Sequence, residues 1–260
     1  MRLPPITSID RGQWLRLLRV TGKAPASADG SAPASADGSA PAVPEEISAA
    51  IKKAEERLLA AASPRGIYRV VTLDQVPMAG SSIARHLEGC DTAALLAVTS
   101  GSGIDDLLRT TQIRDMAMAV ILDAGASVLI EQIADAAGQI IKADLEGLAA
   151  GRSDAASPFE ASAPGAVPTG SSPADALRFA TPRFSPGYGD YPLSVQRELL
   201  QLTDAPRRIG LTLTPGDMMT PSKSITAVIG LAGHPVSGHL ATCEECTLRG
   251  KCDFMACVNR

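Results

Sequence analysis

From Ile104 to Ala150 apolar residues recur at helical spacing almost without interruption, and this stretch constrains the fold more than any other. A helical run so long and so apolar is buried over much of its surface, or folds back as two packed helices. A break is expected near Gly125-Ala126-Ser127. Either arrangement needs a large apolar partner surface. Ile67–Thr72, rich in β-branched residues, supplies one together with Ala93–Thr99, Arg208–Thr214 and Ser224–Ile229, each of which reads as a strand. Further helices are expected after Asp10, a capping residue, from Pro44 to about Ala62, near Gly80 to Leu87, and from Leu193 to Leu202. A few strands among long helices predict an α+β fold, one sheet covered by helices.

Two segments stand outside that pattern. The octapeptide Pro-Ala-Ser-Ala-Asp-Gly-Ser-Ala occurs twice in tandem, at 25–32 and 33–40. Residues 151–175 are similarly rich in Ala, Ser, Pro and Gly. Such chain has little to bury against its ordering entropy. As surface-loop insertions both are cheap, because loop-closure entropy grows slowly with length. The expected organisation is an N-terminal helical segment (1–23), a flexible insertion (24–44), an α+β domain (45–240, interrupted by 151–175) and a Cys-rich tail (241–260). With 45% hydrophobic residues the body can form a full core, and a net charge of −4 disfavours nucleic acid, whose phosphates demand a basic surface. No apolar run reaches the roughly 18–20 residues of a membrane span, and Met1-Arg-Leu-Pro-Pro lacks the apolar stretch of a secretory signal. The expectation is a cytoplasmic protein without a membrane or nucleic-acid partner.

Residues 183–192, Arg-Phe-Ser-Pro-Gly-Tyr-Gly-Asp-Tyr-Pro, carry the richest local signal. Phe179, Phe184, Tyr188 and Tyr191 crowd into a short stretch of a chain otherwise poor in aromatics. Pro186-Gly187 and Gly189 favour a turn, since proline presets φ and glycine accepts positive φ. An arginine, open backbone amides and two tyrosine rings suit a small polar ligand with a flat part. An ordinary loop, with Tyr188 as a core plug and Arg183 in a surface ion pair, fits the same residues.

Arg183-x-x-x-Gly187-Tyr188 resembles the Arg-x-x-x-Gly-Tyr signature of the activation domain of cobalamin-dependent methionine synthase. The block from Arg208 to Gly230 is similar to that domain's next motif. Ser82–Asp91 and Arg114–Asp123 resemble free-standing members of the family. Together the similar stretches span roughly residues 45–150 and 177–230. The resemblance implies a curved, twisted antiparallel sheet with flanking helices. It also implies binding of S-adenosylmethionine, whose methyl group restores a cobalamin stranded as Co(II). Arg183 would then hold the donor's carboxylate, for which a planar guanidinium is suited. Backbone around Ser185 and Gly187 would approach the ligand, and Tyr188 would line the site near adenosine or corrin. Asp115, Asp123 and Glu131, at helical spacing of eight, are the candidates for the donor's amino group, though each reads more readily as a solvated face or a buried cap.

The departures from the family are informative. There is no room for homocysteine- or folate-binding domains. The Asp-x-His-x-x-Gly cobalt-ligand motif is half present at His86-Leu-Glu-Gly89, with Ala84 in place of the aspartate. His86 therefore reads as a helix-surface or satisfied core histidine, and the cobalamin would arrive on a partner, a corrinoid methyltransferase or a truncated methionine synthase. The function implied is accessory reductive reactivation. The alternatives are a non-catalytic scaffold that binds a corrinoid protein, and an iron–sulfur electron-transfer protein sharing the fold.

Cys243, Cys246, Cys252 and Cys257 gather four of the five cysteines at the C-terminus. In a reducing compartment, clustered thiols point to metal rather than disulfides. Thiolates suit a [4Fe–4S] cluster or zinc, and the spacing leaves both open. An iron–sulfur centre would fit reductive methylation, which needs an electron that a redox partner or the cluster can supply. His239 is a weaker substitute ligand. Cys90 reads as a small buried hydrophobe.

Overall fold

The computed structural model describes residues 1, 3–20, 43–149 and 179–239. Residues 24–42 of the first insertion, all of the second, and the four C-terminal cysteines lie outside the described residues.

Four strands form an antiparallel sheet in the order β1 (Arg65–Thr72), β2 (Thr92–Thr99), β6 (Ser224–Ala232), β3 (Phe179–Ala180). A two-stranded hairpin, β4 (Thr212–Leu213) with β5 (Met219–Thr220), stands apart from it. Every residue of β2 is buried. The register explains why: Leu96 and Ala227 face one side with Tyr68, while Leu95 and Val228 face the other, and both sides are covered. A central strand with two packed faces loses the apolar–polar alternation of a half-exposed one.

The first face packs against α1 (Arg11–Leu17), α2 (Glu45–Ala61), α4 (Ser102–Arg114) and α5 (Met116–Ala149). The second face carries α3 (Ser81–His86), the 184–191 turn, α6 (Gln196–Leu202) and α7 (Ala205–Ile209). This is an α+β architecture of one antiparallel sheet flanked by helices, as expected.

Three expectations are corrected. The long helix does not break at Gly125. The break falls at Asp115, where φ −152° and ψ 89° leave the helical region and the carboxylate accepts from the Met118 N–H at 2.9 Å, capping α5. Gly125 instead makes room for a ring. A Cβ there would lie 2.2 Å from Trp14 Cζ2, and Trp14 is wholly buried, donating its indole N–H to the Ile121 carbonyl at 2.9 Å. Arg208–Thr214 is not one strand, because its start belongs to a single helical turn, Ala205–Ile209, with Pro206 in its first positions and Gly210, in the left-handed region, at its end. Finally, Met116–Leu145 is long and apolar enough to cross a membrane by length and composition. Its apolar stripe, Leu122, Leu129, Ile133 and Ile141, lies in the core beneath the sheet.

Candidate functional site

The short β3 leaves the sheet edge only partly covered. Phe184 and Val228 exchange backbone hydrogen bonds at 2.9 and 2.8 Å, and beyond that bridge the chain turns away from β6. A cavity of about 550 Å³ opens there, between α5 and the 183–188 turn and across the start of β6. Its size falls in the roughly 300–1,000 Å³ range of small-molecule sites.

Arg183 stands at the α5 wall. Its guanidinium pairs with Asp135 at 2.7 Å and Glu131 at 3.1 Å, two acids one helical turn apart. The carboxylates are largely exposed, the arginine only 21% so. Exposed pairs of this kind contribute about 0–1 kcal/mol, so an incoming carboxylate can exchange with them at little cost. Gly138, one turn further along α5, also lines the cavity, and a Cβ there would meet nothing within 4 Å.

Opposite, Ser185 and Tyr188 line the cavity from the turn. Tyr188 is half exposed, its ring edge-on to Phe184 at 5.8 Å. Partial burial, reinforced by the nearby Glu131 charge and opposed by Arg183, raises the phenol's pKa. Gly187 does not line the cavity. With φ +97° and its N–H donated to the Tyr191 carbonyl at 2.7 Å, it shapes the turn that presents Ser185 and Tyr188.

Two further contacts hold the turn in place. The Asp190 carboxylate accepts from the backbone N–H groups of Ser81 (2.7 Å) and Ser82 (2.8 Å) and from the Ser81 hydroxyl (2.9 Å). Those donors hold its carboxyl well below the usual range. His86 is wholly buried beneath Phe184, ring centres 4.7 Å apart. Burial lowers its pKa. Nδ1 lies 2.7 Å from the His239 carbonyl and Nε2 lies 2.9 Å from the Thr181 hydroxyl. It is thus a satisfied core histidine that ties the site segment to residues 234–239, with no nitrogen to offer a partner's cobalt.

Of the three acids considered for an amino group, only Glu131 lines the cavity. Asp115 caps α5, and Asp123 pairs with Lys223 at 2.9 Å. Asp135 was not anticipated, although its position four residues after Glu131 on a helix is the signal for it. Cys90 is buried, and among the described residues no cluster of His, Cys, Asp and Glu could hold a metal ion.

An antiparallel α+β domain with a ligand-sized cavity at its sheet edge is the class that fold and site define. No family model and no curated protein matches the sequence. Among solved structures, the crystal structure of the MetH reactivation domain bound to AdoHcy is similar, with a TM-score of 0.51 and 16% identity over 90% of this chain and 76% of that one. At that identity the likeness establishes the shared fold.

Proposed function

We propose that the chain binds S-adenosylmethionine in the sheet-edge cavity and presents its methyl group to a cob(II)alamin carried by a partner protein, a corrinoid methyltransferase or truncated methionine synthase. The observation that carries the reading is Arg183 set between Glu131 and Asp135 at a cavity of ligand size. A zwitterionic amino-acid head fits this triad by exchange of ion pairs: its carboxylate takes the guanidinium and its ammonium takes the released acids. The AdoHcy-bound state of the structurally similar domain supports the same ligand class. The protein's part is orientation and electrostatics, while the sulfonium and the corrinoid supply the reaction.

Gly138 tests the location. Gly138→Leu puts a side chain into open space on the cavity wall while removing a mid-helix glycine, which alone favours α5 by about 0.5–1 kcal/mol. The expected variant is at least as stable as the parent to denaturant yet fails to bind S-adenosylmethionine in calorimetric titration. Undiminished binding would place the ligand elsewhere.

Cys243, Cys246, Cys252 and Cys257 are the metal-binding part of this proposal, as an iron–sulfur cluster or zinc site. Elemental analysis of anaerobically purified protein is expected to show iron with sulfide, or zinc, reduced in Cys246→Ala. Neither metal in the parent protein would remove this part and leave the cavity untouched.

A further inference from the structure

Of the large apolar side chains left exposed, Leu17, Ile113, Met116 and Val120 (44–81% exposed) gather at one corner, where the end of α1 meets the junction of α4 and α5. Leu17, Met116 and Val120 line a second cavity there, of about 520 Å³, and Ile113 follows Gln112, which lines it as well. Scattered apolar residues are ordinary on a protein surface, but a contiguous patch marks a place where something docks. The neighbouring stretch of this chain has nothing to set against it. From Thr21 to Ala42 the sequence holds no leucine, isoleucine, valine, methionine or aromatic residue.

The corner carries both halves of a self-fitting contact. Met116 and Val120, one helical turn apart on α5, form a ridge. Beside it Ala119, Ala124 and Ser127 give the cavity small walls. A ridge and a groove on one surface let each of two identical chains offer what the other receives, which is what a two-fold contact requires. The charges repeat the pattern. Arg114 has no hydrogen-bond or ion-pair partner among the described residues, and the adjacent Asp115 spends one carboxylate oxygen on capping α5. Around a two-fold axis at this junction, each Arg114 meets the partner's Asp115.

We infer that this corner is the interface of a two-fold homodimer. A standard interface takes about 800 Å² from each partner, as an apolar centre within a polar rim. Leu17, Ile113, Met116 and Val120 form the centre, and exposed polar residues of α1 and α4 flank them. The helix rises 1.5 Å per residue, so Glu131 stands about 20 Å along α5 from Met116. The dimer therefore leaves both sheet-edge cavities open, one per chain, and the inference does not depend on what they bind.

The test is sedimentation velocity of the full chain over a dilution series, repeated on Met116→Glu and Arg114→Asp. Met116 is exposed in the first turn of α5, where an acid suits the helix dipole, so Met116→Glu should melt like the parent. The expected parent sediments at twice the mass of the chain and dissociates on dilution. Met116→Glu should raise the dimer dissociation constant at least about tenfold, because it buries a charge in the apolar centre. Arg114→Asp should raise it several-fold, and ligand titration should be the same for both variants as for the parent. A parent that is monomeric at every concentration would overturn the inference and return the patch to a different partner. A dimer that both variants leave intact would overturn it too, by placing the contact on another surface.

Discussion

Arg183→Ala is expected to weaken S-adenosylmethionine binding by about 10- to 150-fold, the equivalent of losing a charge-assisted hydrogen bond worth roughly 1.5–3 kcal/mol. The ligand's carboxylate loses its guanidinium, while Glu131 and Asp135 stay available to its ammonium, so the loss is that of the carboxylate contact. Arg183→Lys should fall between the two, because an ammonium keeps the charge but not the two-pronged geometry. Folding should hardly notice, since both partners are exposed carboxylates whose pairing contributes under about 1 kcal/mol. Calorimetric titration alongside a denaturant melt separates the effects. An alanine variant that binds as tightly as the parent would return Arg183 to the role of a surface ion-pair residue. The chain would then be better described as a scaffold.

The largest stability effect is expected at a residue remote from the cavity. Gly125→Ala should destabilise the fold by about 2–4 kcal/mol, although alanine is the better helix former by about 0.8–1 kcal/mol. The added methyl would stand 2.2 Å from the indole of Trp14, so the ring must leave a fully buried position, and emptying such a site costs about 3–5 kcal/mol. Trp14 is the only tryptophan in the chain, so its emission reports the outcome directly. The parent should emit as a buried indole and Gly125→Ala as a wetter one, with a lower denaturant midpoint. In a Trp14→Ala background the sign should reverse and Gly125→Ala should stabilise, a coupling that a double-mutant cycle measures. Additive effects of the two substitutions would show that the ring does not rest on Gly125.

That pair also marks where reading the chain reached its limit. A glycine in a helical pattern is locally a breaker, and its use as a socket for a ring more than a hundred positions away is visible only once α1 and α5 are packed together. Strands β1 and β6 were legible from their β-branched residues, and β2 as a short continuous apolar run. Arg208–Thr214 looked equally extended, but Pro206, together with left-handed backbone at Asp204 and Gly210, winds its start into a helical turn. At the site, Arg183, Ser185 and Tyr188 were found through a local motif, and all three line one cavity. Gln196 and Thr226, buried on the wall of the same cavity, carry no local signal. A polar residue in a helix or strand reads as ordinary surface until burial leaves it without a partner.

The account rests on S-adenosylmethionine occupying the sheet-edge cavity, and direct titration of that ligand into the anaerobically purified protein is the decisive measurement. One saturable site per chain is expected, competed by S-adenosylhomocysteine and lost in Gly138→Leu. No saturable binding, with or without a cobalamin-loaded partner present, would contradict the donor-binding reading and leave a shared fold without the chemistry.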